Sequence, residues 1–340
     1  MIRTVLGDVP TETVGPALLH EHVLFDIVPP SAQGPRDAPL TLQERWQIDY
    51  RSNECAANAL MTDAVVAAAE LALYAAEGGG LIVDQSVYGL ARDARGLAEA
   101  SRASGVHVVA CAGTYVDTFV EPAIRALPAE ALADRFTAEV IDGLDGTTIR
   151  AGLIGEMGCS WPLTPFETRA LEAAAAAQAR TGAAISVHPG RHEQACGQIL
   201  DILGRNGADL TRVVLCHMDR THPDGAGIRP LLERGAVVQW DFFGVETSHY
   251  WMTDAVELPT DLGRLRLILE LARDGFDDRI AISHDICTKT RIRHWGGHGY
   301  GHILRNVTVL MQRLAFPETL KRALIRDTPL RLLTLEEIPQ

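Results

Sequence analysis

Eight short apolar runs punctuate the chain: ALLHEHVL (17–24), GLIVDQSV (80–87), VHVVACAG (106–113), AGLIGEMG (151–158), AAISVHPG (183–190), RVVLCHMD (212–219), AVVQWDFF (236–243) and RIAISHDI (279–286). Each is of strand length and nearly continuous in its hydrophobicity, which is how a strand reads when both faces are buried. Longer stretches with helical spacing of apolar residues separate them. Eight strand–helix units are the number that closes a barrel, so the predicted fold class is α/β, a (β/α)8 TIM-type barrel, with residues 1–340 as a single domain.

Local signals support the helical segments. Thr164, Pro165 and Glu167 read as a capping box with proline at the first helical position, opening an Ala-rich run that ends at Gly182. Gly207 and Gly235 likewise follow helical patterns as C-terminal caps. Three insertions follow the first, seventh and eighth strands, at 25–60, 244–262 and 287–300. In a barrel all three rise from the C-terminal face, where active sites of this fold are built, so they are candidate pocket walls.

Six positions at strand ends carry the chemistry. His20 and His22 are two residues apart, a spacing that sends both side chains to one face of a strand while Glu21 points away. The helical HExxH zinc motif needs a full turn between its ligands, so this HxH suits a strand only. His188 and His217 close the fifth and sixth strands, and Asp285 closes the eighth, beside the first in a closed barrel. A lone histidine of this kind is more often a hydrogen-bonded core residue, but the set together points to metal ligation. Two cations a few ångströms apart need an anionic bridge, for which Glu156 at the end of strand four is available. A carbamylated lysine is excluded: the only lysines are Lys289 and Lys321. His284 should face away from the site.

Composition narrows the partners. A net charge of -13 argues against nucleic acid or an anionic membrane surface, because either needs a basic patch, and a small-molecule substrate is expected instead. The N-terminus lacks a signal-peptide pattern and no stretch approaches a membrane helix, so a cytoplasmic enzyme is expected. Six scattered cysteines without a CxxC pair read as buried filler in a reducing compartment.

With these residues in view, the chain resembles the phosphotriesterase family of the amidohydrolase superfamily, and within it the phosphotriesterase-related subgroup. The strings that carry the resemblance run from TVLGDVP and LLHEHVLFD through GLIGEMGCSWPLT, VHPGR and CHMDRT to HDICTKTRIRHWGGHGYGHILRNV. The resemblance implies two divalent metal ions, usually zinc: a buried one on His20, His22 and Asp285, a more exposed one on His188 and His217, and Glu156 bridging them. It also implies a homodimer. Where true phosphotriesterases have the carbamylated lysine and a histidine beside the strand-seven aspartate, this chain has Glu156 and Asp241-Phe242, so efficient organophosphate cleavage is not expected.

The expected reaction is metal-dependent hydrolysis, in which a hydroxide bridging the two metals attacks an acyl carbon and Asp285, the catalytic residue, passes its proton to the leaving group. For substrate contacts the candidates are Arg191 and Arg220, whose guanidinium groups suit a sulfonate, carboxylate or phosphate, together with Tyr115 and His249. Animal members of the resembling subgroup cleave N-acetyltaurine, which makes a small anionic N-acyl compound the first substrate class, with lactones and carboxylic esters close behind. The alternatives are a phosphotriester hydrolase and a catalytically silent, ligand-binding barrel.

Overall fold

In a computed structural model, which describes residues 1–29, 32, 34–253 and 255–335, all eight apolar runs form strands. They are β1 (Ala17–Glu21), β2 (Leu81–Asp84), β3 (His107–Ala112), β4 (Leu153–Gly158), β5 (Ile185–His188), β6 (Val213–Leu215), β7 (Val237–Trp240) and β8 (Ile280–Ile282). Each pairs in parallel with the next in chain order, giving one eight-stranded sheet. Its two edges meet through hydrogen bonds rather than a regular ladder: Ser283 Oγ donates to His20 O (2.8 Å) and accepts from His20 N (3.1 Å), while Asp285 N donates to His20 O (3.1 Å). The barrel is thereby closed at the level of the predicted ligands.

Helices connect successive strands, and one in each connection packs as the main crossover: α1 (Ala64–Ala76), α2 (Ala94–Ser104), α3 (Ala129–Ile141), α4 (Pro165–Thr181), α5 (Ala195–Arg205), α6 (Ile228–Glu233) and α7 (Asp261–Leu271). At α4 the capping box is complete, with Thr164 Oγ1 accepting from Glu167 N and Glu167 Oε2 accepting from Thr164 N, and Gly182 ends the helix at φ 70°. An antiparallel hairpin (Ile2–Thr4 with Gly7–Val9) precedes β1, too short to register in the apolar pattern. Among the described residues no helix is long and apolar enough to cross a membrane.

Strand alternation sorts the core into two shells. Ile82, Val108, Ile154, Val187, Leu215 and Val238 pack outward against helix residues such as Leu97, Phe136 and Leu171. Leu19, Val83, Val109, Leu153, Val214 and Val237 fill the barrel interior. Strict period-two alternation from Leu19 and Leu153 would send His20, His22 and Glu156 outward, among the helices. It does not, because the register of β1 breaks between Leu18 and Glu21 and that of β4 between Ile154 and Met157. Such irregularities re-aim side chains at the rims of barrels.

At β4 the break has a visible cause. Gly155 sits at φ 130°, and a Cβ there would lie 2.3 Å from Ser186 O, so only glycine fits before Glu156. His217 (φ 58°) and Asp285 (φ 50°) are left-handed without being glycine, a conformation costing about 1–3 kcal/mol that persists only where the surroundings impose it.

Glu21 faces away from the interior and organises the turn that carries Asp285. Its fully buried carboxylate accepts from His284 N (2.8 Å), His284 Nδ1 (2.8 Å) and Ile286 N (3.0 Å) and contacts Ser283 Oγ (2.7 Å). Ile303 N donates to His284 Nε2 (3.1 Å), which fixes the ring proton on Nδ1. His284 is therefore structural, as its position suggested. Replacing Glu21 with alanine leaves several of these donors buried without acceptors, at about 1–3 kcal/mol each, so Glu21→Ala should lower unfolding free energy by at least about 3 kcal/mol in urea titrations. A loss under about 1 kcal/mol would remove Glu21 from this role.

Candidate metal centre

All six predicted ligands converge at the C-terminal rim of the barrel, on five different strands or the turns that follow them. His20 Nε2 lies 3.5 Å from Glu156 Oε2 and 3.6 Å from Asp285 Oδ1; His22 Nε2 lies 3.4 Å from Glu156 Oε1 and 3.4 Å from Asp285 Oδ1. On the other side of Glu156, Oε2 is 3.1 Å from His188 Nδ1 and 3.5 Å from His217 Nε2, and those two nitrogens are 2.9 Å apart. His20, His22 and Glu156 form one group able to hold a metal, Glu156, His188 and His217 another, and Asp285 joins His20 and His217 in a third. Glu156 belongs to both sides.

The spacing fits ions better than hydrogen bonds. Donors bound to zinc at about 2.0–2.1 Å in tetrahedral array stand about 3.3–3.5 Å from each other. His20 Nε2 is completely buried and has no hydrogen-bond partner, although two carboxylates lie just beyond hydrogen-bonding range. An orphaned imidazole nitrogen between two carboxylate oxygens has the donor chemistry of a metal ligand.

The electrostatics agree. Burial pushes the Glu156 carboxyl upward, but the His20 charge and hydrogen bonds from His188, His217 and His22 hold it well below the usual carboxylate range. Burial lowers His22, yet the carboxylates of Asp285 and Glu156 raise it to about 10; burial likewise lowers His217, while Asp241 takes the lead in raising it to about 9. The pocket demands positive charge between its carboxylates. Protons supply some of it here, and divalent cations are the stronger alternative.

Several of the ligands have supports of their own. Asp241 Oδ1 accepts from His217 Nδ1 (2.7 Å) and Oδ2 from His217 N (3.1 Å), which holds the ring with Nε2 turned to Glu156. His22 Nδ1 meets Ser86 Oγ (3.1 Å), and Tyr300 OH donates to His22 O (2.7 Å). Behind Asp241 stands a buried ion pair of Asp219 with Arg264; Asp219 Oδ2 accepts from Asp241 N (2.9 Å) and Phe242 N (3.2 Å). Arg291 donates to Asp285 O (2.6 Å) and to His284 O, pinning the turn after β8. Asp219 and Arg291 thus act as braces behind the ligands.

The proposed substrate contacts separate into two kinds. Arg220 is not at the mouth but buried, 2% exposed, with its Nη2 2.8 Å from Pro189 O and 3.1 Å from His188 Nε2. Arg191 Nε donates to Tyr250 OH (2.8 Å), and Tyr115 stands edge-on to His188 with ring centroids 5.1 Å apart. Arg191 and Arg220 line one cleft of about 660 Å³, and among the described residues neither forms an ion pair with a carboxylate. His249 is elsewhere engaged: its ring stacks on Tyr50 at 4.3 Å, joining the loops after β1 and β7, and its backbone bridges Glu257. The three inserted loops do meet, around a smaller cavity of about 130 Å³ lined by Arg45, Asp49, Gly244, Trp251, Thr288 and His298. Residues 30, 31 and 33 of the first loop and 254 of the second lie outside the described residues.

Comparison with known proteins matches this geometry. The sequence model of the phosphotriesterase family covers residues 1–333. An N-acetyltaurine hydrolase of Rattus norvegicus is 37% identical over 342 aligned residues, covering 98% of each chain. A resiniferatoxin-binding protein from Rhodobacter sphaeroides superposes with a TM-score of 0.92 at 33% identity, covering 98% of this chain and 94% of that one. A lactonase from Listeria monocytogenes shares the fold, with a TM-score of 0.78 at 24% identity and 99% of both chains covered. A family match across nearly the whole chain, a full-length relative above 30% identity and the converged strand-end residues lead to one conclusion: the chain is a hydrolase that belongs to the phosphotriesterase family.

Proposed function

We propose that the whole chain, 1–340, is one catalytic domain that hydrolyses a small anionic N-acyl compound of the N-acyl-taurine type, using two divalent metal ions, zinc in the first instance. One observation carries the metal reading: the orphaned, buried His20 Nε2 facing Glu156 and Asp285 across 3.5–3.6 Å. His20, His22 and Asp285 would hold the inner ion, His188 and His217 the outer, and Glu156 both. When bound, such ions activate water at neutral pH and polarise an acyl carbonyl.

The chain's own residues do the rest. Asp285, at the rim and 12% exposed at its side chain, has Oδ1 beside His20 and His22 and Oδ2 4.0 Å from His217 Nδ1, so it is the carboxylate placed to take a proton from the nucleophile and hand it to the leaving nitrogen. Arg191 and Arg220, neither with a carboxylate partner among the described residues, are the candidate cations for the substrate's sulfonate or carboxylate, in a cleft that Glu193, Asp224 and Glu257 also line. Tyr250 orients Arg191. Phe242 packs against Tyr250 beside Asp241, where proton relay would need a polar side chain, which weighs against phosphotriesters. The amide class is supported by the rat relative, an N-acetyltaurine hydrolase, and esters or lactones require the same machinery. A cytoplasmic location is supported by six free cysteines, and a homodimer by the exposed apolar side chains Leu42, Trp46 and Met252.

Three measurements test this. Purified protein of known metal content, assayed on a panel of N-acyl sulfonates, N-acyl amino acids, lactones, esters and phosphotriesters, should show highest kcat/KM on the anionic amides; activity on none of them, with two metals bound, would favour the silent binding barrel. Asp285→Asn should retain metal and lose about 10²- to 10⁴-fold in kcat, the range for a positioned acid–base group. Unchanged turnover would remove Asp285 from catalysis. Arg191→Met should raise KM for an N-acyl sulfonate by about 10- to 100-fold, from the loss of a charge-assisted hydrogen bond, with little change for a neutral ester. Equal losses on both substrates would mean Arg191 serves structure alone.

A further inference from the structure

The four histidines of the centre turn their outer nitrogens to four different partners. His217 has the Asp241 carboxylate (2.7 Å), His22 the Ser86 hydroxyl (3.1 Å) and His188 the Arg220 guanidinium (3.1 Å), but His20 Nδ1 faces the thiol of Cys216 at 3.2 Å. Cys216 is the residue before His217, at the end of β6, and is completely buried inside the barrel. Its sulfur also lies 3.2 Å from Ser186 Oγ and 3.9 Å from Gln239 Nε2, and Ser186 Oγ in turn accepts from Gln85 Nε2 (3.1 Å). A polar floor therefore runs beneath the metal centre, linking β1, the end of β2, β5, β6 and β7.

His20, Cys216 and Asp241 are close enough to form a ligand group in their own right. The hydrogen bonds argue against that use. Both Asp241 oxygens are taken, by His217 Nδ1, His217 N and Gln239 Nε2, and Asp241 Oδ2 stands 3.6 Å from His20 Nδ1, beyond a good hydrogen bond. His20 Nε2 is the nitrogen that faces Glu156 and Asp285 without a partner. If Nε2 presents its lone pair there, a neutral ring carries its proton on Nδ1, and the nearest acceptor is sulfur.

We propose that Cys216 is a positioning residue for the inner metal: its sulfur accepts the Nδ1–H of His20, fixing the tautomer and ring orientation that turn Nε2 toward Glu156 and Asp285. The inference rests on the metal reading proposed above. A thiol is a weaker acceptor than the carboxylate behind His217, so it orients His20 without making the ring as strong a donor. Ser186 completes the floor, its Oγ 3.2 Å from the same sulfur.

The test measures metal rather than turnover. Zinc-free protein is titrated with Zn2+ against a chromophoric chelator for the wild type, Cys216→Ala and Cys216→Ser, with circular dichroism confirming the fold of each. Wild type should take up two equivalents; Cys216→Ala should weaken one of them by about 10- to 100-fold, the usual cost of losing an outer partner of a metal-bound histidine. Cys216→Ser, which keeps an acceptor, should recover most of that loss. Wild-type affinity in Cys216→Ala, or equal losses in both variants, would overturn the proposal, whereas absence of zinc uptake by the wild type would overturn the metal reading itself. A second readout needs no variant: in 15N-labelled, zinc-loaded wild type the His20 ring should show a slowly exchanging Nδ1 proton, and a proton on Nε2 would contradict the assignment.

Discussion

The rest of the structure depends on one electrostatic constraint: the Glu156 carboxylate is buried among four imidazoles, with Asp285 closing the same space. Ionised groups removed from water need compensation, and among the described residues no salt-bridging arginine or lysine enters the group. The imidazoles can compensate as protonated rings, as the raised His22 and His217 show, or as neutral donors to a cation. The second arrangement uses every nitrogen that points inward, including His20 Nε2, which the first leaves without a partner.

Holding that cluster requires braces from all around the barrel. Glu21 ties the end of β1 to the turn after β8, Arg291 grips the carbonyls of that same turn, and Asp219 with Arg264 buttresses Asp241 behind His217. These braces explain why residues as costly as His217 and Asp285 in left-handed conformation persist at strand ends. They also show why charge is buried so generously on this face of the molecule.

Much of this was legible in the residues. Continuous apolar strands announced a covered parallel sheet, and Thr164 with Glu167 and Gly182 marked both ends of α4. His188 and Asp285 follow simple alternation from Ser186 and Ala281. His20, His22, Glu156 and His217 do not: alternation from Leu19, Leu153 and Val214 points them outward, and the register breaks of β1 and β4 and the left-handed His217 bring them in. Their inward placement was reached by chemistry, since clustered ligands make sense only together. Asp241 ends its apolar run just as the ligands do, so its position was a signal that could have been read as a support. Glu21 and Arg291 could not have been assigned their roles, because their partners are distant in the chain or are backbone groups that sequence does not mark. His249 looked like a pocket residue and proved to be half of a stack with Tyr50.

The central claim is that Glu156 lies between two metal ions. Anomalous diffraction from crystals of zinc-loaded protein, collected on both sides of the zinc absorption edge, tests it directly. The account predicts two edge-dependent peaks flanking the Glu156 carboxylate, one within bonding distance of His20, His22 and Asp285 and the other of His188 and His217. No peak in the barrel, or a single one that does not touch Glu156, would contradict it.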